Sequence, residues 1–253
     1  MLRVAQNRPR ILQGMRSAIQ FLTIFPCPSR QAFNARAALP YFPICGLLIG
    51  TALVVIDALA ALIWPRPVVA MVDVIALAVI SGALHLDGLA DTADGLYGRR
   101  GPEQALSIMK DSRIGAMGMI AVLCCFGLKW VGLANIGSQY KVWLLITPAY
   151  ARASVLFGIK RLPYGRPGGG TGHAFFEPPL QVKDFWALGL VAALSILTSW
   201  RSIAINACFL MIVWAVIGWY RYKINCITGD MLGALIEVTE TALFLLAASH
   251  WNQ

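Results

Sequence analysis

Residues 67–95 read PVVAMVDVIALAVISGALHLDGLADTADG, an apolar segment that runs directly into a repeating pattern of aspartates. About 20 consecutive apolar residues suffice for a helix to cross the hydrocarbon core of a bilayer. The window 67–86 has that length, and six more windows resemble it: 40–64, 116–136, 141–159, 186–200, 202–220 and 231–250. The sequence therefore predicts an all-α, polytopic integral membrane helical bundle with seven transmembrane helices, or six if 186–220 is one broken span.

Composition supports a membrane protein. Hydrophobic residues make up 58% of the 253 residues, only 13% are charged, and the mean hydropathy is +0.67. A soluble domain is about 45–50% apolar and about 25% charged, so an ordinary cytosolic enzyme is excluded. The net charge of +9 comes from basic residues scattered between the spans, which favours contact with anionic membrane lipid and argues against nucleic acid.

The distribution of basic residues predicts the topology of one membrane-embedded domain covering 1–253. Sixteen basic residues fall on the side that holds the N-terminal region and three on the other side, so the positive-inside rule places the first side in the cytoplasm. The acidic segment 87–115 and the glycine-rich loop 160–185 both lie on that side. Residues 11–25 form an amphipathic pattern that predicts a helix in the membrane interface. This arrangement is typical of an enzyme with a cytoplasmic active face that uses soluble cytosolic substrates at a membrane.

Asp87, Asp91 and Asp94 are spaced i, i+4, i+7, so a helix presents them on one stripe. Three neighbouring carboxylates at the end of an apolar span repel one another, and a divalent cation relieves that repulsion. Hard oxygen ligands favour Mg²⁺, which proteins commonly share with substrate phosphates. A solvated acidic loop is the alternative interpretation.

Four further residues near this stripe are candidates for catalysis. A short helix starts at Pro102, and its C-terminal turn holds Lys110 and Asp111, followed by Arg113. A carboxylate is unfavourable at the negative end of a helix dipole, and such a mismatch often marks a functional position. Surface pairing of Asp111 with a neighbouring cation is the alternative. His85 is either a base or hydrogen-bond partner, or a histidine of the core.

Charged residues inside the apolar windows form a second group. Asp230 and Glu237 lie on one face of the last window, and Arg152 lies within 141–159. Carboxylates at membrane depth are costly and are functional by default, so Asp230 and Glu237 are predicted to be functional residues. Structural ion pairing inside the bundle, for example between Arg152 and Glu237, is the alternative.

The loop 165–173, GRPGGGTGH, is too rich in glycine to form a helix and lacks the Gly-Lys-Ser/Thr of a P-loop. We interpret it as a mobile segment in which Arg166 and His173 close over a phosphorylated substrate. A plain linker between spans would have the same composition.

These motifs together resemble one family. Residues 85–95 (HLDGLADTADG) and 108–115 (IMKDSRIG) are similar to the motifs of adenosylcobinamide-GDP ribazoletransferases, also called cobalamin 5′-phosphate synthases. Residues 21–26 (FLTIFP) resemble the family's N-terminal Phe-x-Thr-x-x-Pro. Residues 228–234 (TGDMLGA), followed by Glu237 and Glu240, resemble its C-terminal motif.

The resemblance implies an Mg²⁺-dependent phosphotransferase that joins adenosylcobinamide-GDP to α-ribazole or its 5′-phosphate and releases GMP. On this reading Asp87, Asp91 and Asp94 hold the metal. The expected catalytic residues are Asp111, His85, Lys110 and Arg113. The expected substrate-binding residues are Arg152, Arg166, His173, Asp230 and Glu237. A corrinoid is too large for seven short helices to bury, so an open cytoplasmic cleft or an interface in a homo-oligomer is expected.

Two other functions compete with this one. The segment 91–99 (DTADGLYGR) matches the start of the CDP-alcohol phosphotransferase signature except at Gly98. The later glycine of that signature is missing, because Ile108 stands in its place, and no second downstream aspartate follows. A transporter would use the charged residues of the spans along an ion path, but the acidic stripe would then have no role.

Overall fold

The computed structural model describes residues 8–27, 32–137, 140–166, 172–198 and 202–249, and within these ranges the regular secondary structure is helical. The all-α prediction is confirmed. The α-helices are α1 (Arg8–Leu22), α2 (Ala35–Ala38), α3 (Phe42–Ala60), α4 (Arg66–Ile80), α5 (Leu84–Leu96), α6 (Pro102–Ile108), α7 (Ala116–Ala134), α8 (Tyr140–Arg161), α9 (Trp186–Thr198), α10 (Ser202–Lys223) and α11 (Gly229–Ala247). Short 3₁₀ turns lie at Leu39–Tyr41, His173–Phe175 and Val182–Phe185.

Four helical segments among the described residues are long and apolar enough to cross a membrane, and we treat them as the membrane-spanning segments. They are Ala35–Ala60, Ala116–Ala134, Lys141–Arg161 and Ser202–Lys223. A fifth span results if the bent pair α4 and α5 is counted as one, so the number is below the seven predicted. The difference arises because α9 has 13 residues and α11 carries three carboxylates.

The predicted span 67–86 is interrupted. The helix α4 ends at Ile80, and Gly82 and Ala83 follow with φ angles of +61° and +58°. A left-handed residue after a helix ends it and redirects the chain. The next helix, α5, runs at 88° to α4 and is about 20 Å long. The aspartate motif therefore lies on a helix of its own and not on the end of a straight span.

The helix α8 lies at the centre of the bundle and packs closely against α3. A Cβ atom at Gly46 would lie 2.4 Å from the Ala149 Cα, and one at Gly50 would lie 2.1 Å from the Leu145 carbonyl oxygen. Two glycines one turn apart thus let the two backbones touch, as is common in membrane helix pairs. The helix α11 packs against α8, and α5 packs in turn against α11 and α7.

The N-terminal helix α1 covers part of the predicted amphipathic segment 11–25 and ends at Leu22. Ala18 and Leu22 are buried against the bundle, whereas Ile11 and Leu12 are exposed. An exposed apolar edge on an otherwise polar helix suits the membrane interface, which stays a prediction.

Candidate active site

Two glycines bring the aspartate motif of α5 onto the first turns of α11. A Cβ at Gly88 would lie 2.6 Å from the Asp230 carbonyl oxygen, and one at Gly233 would lie 3.2 Å from the His85 Cα. Backbone contact of this kind is possible only where a side chain is absent. The crossing places Asp230 beside the α5 aspartates, although more than a hundred residues separate them in the chain.

Asp91 is at the electrostatic centre of this group. Partial burial raises the pKa of Asp91 to about 6, and the carboxylates of Asp87, Asp230 and Asp94 add to the rise, whereas Arg166 opposes it. Carboxylates that raise one another's pKa favour a bound cation, because the cation stabilises their charged forms. The chemistry of the predicted metal site is therefore present around Asp87 and Asp91.

Arg166 is held next to this group by backbone pairing. Gly165 N–H donates to the Ile227 carbonyl over 2.9 Å, and Ile227 N–H donates to the Pro163 carbonyl over 3.0 Å. The Arg166 guanidinium then donates to Asp230 Oδ2 over 2.8 Å and to the Met109 carbonyl over 3.2 Å. Its Nε is buried and has no hydrogen-bond partner among the described residues. Burial raises the pKa of Asp230, and Arg166 acts against this rise.

Asp94 has a different partner from the other two aspartates of its helix. Its carboxylate accepts hydrogen bonds from Gly115 N–H over 2.7 Å and from Gly118 N–H over 2.9 Å. These bonds cap the N-terminus of α7, whose free N–H groups need acceptors. Through these bonds Asp94 joins α5 to α7, which leaves Asp87 and Asp91 as the carboxylates of the stripe without a backbone donor among the described residues, and the three-aspartate metal site stays a prediction.

No three His, Cys, Asp or Glu side chains within the described ranges form a ready-made metal cage. Mg²⁺ usually keeps several waters and needs only one or two protein carboxylates together with substrate phosphates. The hard oxygen donors of Asp87 and Asp91 fit that mode of binding.

The predicted catalytic group of the following loop lies on the surface. Arg113 donates to Asp111 Oδ2 over 2.6 Å and to Oδ1 over 3.0 Å, and its side chain is 87% exposed. These hydrogen bonds lower the pKa of Asp111 to about 2, which makes its carboxylate a weak base. Lys110 is also exposed. Asp111 and Arg113 line a shallow cleft with Asp94, in accord with the surface-pairing alternative.

Arg152 and Glu237 belong to a buried charge network and not to the opening of the site. Lys129 Nζ lies 2.6 Å from Glu237 Oε2 and 2.6 Å from Glu240 Oε2, and Arg152 donates to Glu240 Oε1. All four side chains are buried. The structural alternative is thus the observed arrangement, with Glu240 and not Glu237 as the partner of Arg152. Lys129, like Arg152, is a cation inside an apolar window, and the sequence offered structural ion pairing as the alternative for both residues.

A cavity of about 120 Å³ opens beside the acidic group. His85, Asp87 and Asp230 contribute its polar lining, and most of the remaining wall is apolar, including Phe21, Leu22, Phe42, Val155, Ile159, Phe175, Leu232 and Ile236. The aromatic walls were missed from sequence, although Phe21 lies in the motif at 21–26. His173 is exposed and packs edge-on against Tyr164 outside this cavity. Residues 167–171 of the glycine-rich loop lie outside the described residues.

The helix crossing can be tested by adding one methyl group. We expect Gly88→Ala to lower the free energy of unfolding by about 1–3 kcal/mol, because its Cβ would clash with rigid backbone. Gly127→Ala is the matched control: a Cβ there meets no described atom within 4 Å, and alanine is the better helix former. Equilibrium unfolding of both variants in mixed micelles measures the effect. Equal stability of the two variants would contradict the crossing.

Comparisons with known proteins agree with the motifs. A family model described as cobalamin-5-phosphate synthase matches residues 14–248. The adenosylcobinamide-GDP ribazoletransferase of Roseiflexus sp. is 36% identical over 245 residues, which cover 93% of this chain and 91% of that protein. The protein of the same name from Chlorobaculum tepidum is 34% identical over 248 residues, covering 94% and 96%. No solved structure matches the chain. Because the family model covers residues 14–248 and the relatives match over nearly the whole chain, this chain belongs to the cobalamin-5-phosphate synthase family.

Proposed function

We propose that this chain joins adenosylcobinamide-GDP to α-ribazole or its 5′-phosphate, releasing GMP and completing the assembly of a cobalamin. The names of its relatives support the two substrates. The observation that carries the proposal is the acidic group Asp87, Asp91 and Asp230, in which Asp230 is paired with Arg166 and Asp87 and Asp230 line a cavity.

The reaction exchanges one phosphorus–oxygen bond for another. A ribazole hydroxyl attacks the phosphorus next to the cobinamide aminopropanol, and the anhydride bond to GMP breaks. Such transfers depend mainly on positioning and on neutralising the charge of the phosphates. Asp87 and Asp91 would hold Mg²⁺ against the diphosphate, where the ion supplies charge neutralisation. The guanidinium group of Arg166 would donate a hydrogen bond to a phosphate oxygen.

The attacking hydroxyl must also lose its proton. Asp230 lies on the cavity together with Asp87, and burial raises its pKa. A base is most effective when its pKa approaches the working pH. Asp230 is therefore a better candidate for the proton acceptor than Asp111, whose pKa is lowered to about 2 by Arg113.

The proposed location is the bacterial inner membrane, with the active site facing the cytoplasm. Both substrates carry polar or charged groups that do not enter a bilayer, and the basic loops of the sequence mark the cytoplasmic side. The structure does not support a transporter, because the buried charges that would form an ion path are paired with one another. These are Lys129, Arg152, Glu237 and Glu240.

The test is GMP release by the purified protein in liposomes supplied with adenosylcobinamide-GDP, α-ribazole and Mg²⁺. We expect one GMP for each cobalamin formed. Excess EDTA should lower the rate at least about 100-fold, equivalent to roughly 3 kcal/mol, and added Mg²⁺ should restore it. Incubation with a CDP-linked lipid and an alcohol is the control and should yield no CMP. Product formation that is indifferent to EDTA would contradict the metal assignment, and CMP formation would contradict the substrates.

A further inference from the structure

We propose that the cavity beside the acidic group is the binding site for the aromatic base of ribazole, with His85 as the residue that recognises the base. The ligand class is a flat, uncharged nitrogen heterocycle attached to ribose. The assignment rests on the proposed function, since it states where in the chain one of the two substrates binds.

The walls of the cavity suit an aromatic ring. Phe21, Phe42 and Phe175 line it from three separate segments of the chain. The Phe21 and Phe175 ring centroids are 4.8 Å apart, and those of Phe21 and Phe42 are 6.0 Å apart, so the rings form one continuous aromatic surface. Aromatic side chains bind flat rings by stacking or edge contacts at such spacings. The volume of about 120 Å³ is somewhat smaller than the about 150 Å³ of an apolar cavity that accepts benzene, so the cavity has room for about one aromatic ring.

His85 provides the specific observation. Its side chain is 2% exposed, and neither ring nitrogen has a hydrogen-bond partner among the described residues. A buried polar group without a partner is costly and calls for an explanation, and a ligand in the adjoining cavity supplies one. Neutral imidazole carries one N–H donor and one acceptor. The donor would bind the ring nitrogen of the base that is not bonded to ribose.

The remaining polar lining gives the ligand its direction. Asp87 and Asp230 border the same cavity, so a base that contacts His85 places its ribose toward these carboxylates. The reacting hydroxyl then lies beside the residues that hold the metal and accept the proton. The guanine of the other substrate fits less well, because its several donors and acceptors would face an apolar wall.

The test measures ribazole binding alone, by calorimetry on the full chain in nanodiscs without the corrinoid substrate. We expect His85→Phe to weaken ribazole binding at least tenfold while the KM for adenosylcobinamide-GDP stays unchanged. His85→Gln, which keeps an N–H donor, should recover part of the affinity. Tyr222→Phe removes a polar group from an exposed aromatic ring and is the control that should bind normally.

A second variant keeps the test decisive if His85→Phe does not fold. Val155→Phe adds a ring to the cavity from α8 and should abolish ribazole binding, while calorimetry should show unchanged binding of adenosylcobinamide-GDP. Equal ribazole affinity in wild type and both cavity variants would overturn the proposal. If the variants raise the KM for adenosylcobinamide-GDP but bind ribazole normally, the cavity binds guanine instead. If a phospholipid acyl chain occupies the cavity and ribazole does not displace it, the cavity is a lipid site. Loss of GMP release in the wild type would instead contradict the proposed function.

Discussion

We expect Asp91→Asn to lower kcat/KM for GMP release at least about 100-fold while the protein stays folded. Asp91 lies among the carboxylates of Asp87 and Asp230, where a cation shared with the diphosphate is best stabilised. An amide keeps the shape of the side chain but loses the charge, so the expected loss corresponds to roughly 3 kcal/mol of transition-state stabilisation. Initial rates over a series of Mg²⁺ concentrations provide the measurement.

The control for this variant is Glu103→Gln. Glu103 is an exposed carboxylate in the first turn of α6, so its replacement makes the same change in net charge away from the acidic group. Its kcat/KM should stay within about twofold of wild type. If Asp91→Asn retained full activity, the metal assignment on α5 would be wrong, whatever the result for Glu103.

Lys129→Met should destabilise the protein by about 3–5 kcal/mol. The substitution leaves Glu237 and Glu240 buried without their shared cation, and an uncompensated buried charge carries a penalty of this size. Arg152 still pairs with Glu240, so the main penalty falls on Glu237. Unfolding in mixed micelles, followed by tryptophan fluorescence, measures the change.

Two comparisons separate charge from packing in this experiment. Lys183→Met removes an exposed lysine and should change the stability by less than about 0.5 kcal/mol. The double variant Lys129→Met with Glu237→Gln removes both partners and should recover much of the loss, because coupled sites are not additive. If the loss of stability in the double variant equalled the sum of the losses in Lys129→Met and Glu237→Gln, the two residues would have no interaction energy.

This network shows that a charged residue inside a predicted span can be either functional or structural. Both Arg152 and Glu237 follow the rule that ionisable groups at membrane depth are functional, yet the structure pairs them with Glu240 and Lys129 inside the bundle. Neither Arg152 nor Glu237 lines the cavity beside the acidic group. Membrane-depth charge alone therefore does not distinguish a binding residue from a structural one.

Asp94 illustrates the same difficulty within a single motif. It shares a helical face with Asp87 and Asp91, and the spacing alone treats the three as equivalent. The start of α7 at Gly115 supplies N–H donors to Asp94 and to neither of the others. The positions of donors from a distant segment, and not the spacing of the acids, decide which carboxylates stay available for a cation.

Composition and the 3.6-residue helical period are enough to establish an all-α membrane protein in which Asp87 and Asp91 share one face of a helix, and the motifs are enough to identify the family. Composition, helical periodicity and short motifs can all be read from neighbouring residues in the chain. The three-dimensional structure was needed to show that the chain turns by 88° after α4, that Asp230 joins the α5 aspartates, and that Phe21, Phe42 and Phe175 line one cavity with His85. These features arise where helices that are distant in sequence cross. The crossing depends on backbone contact at Gly88 and Gly233, and no local sequence pattern specifies that contact.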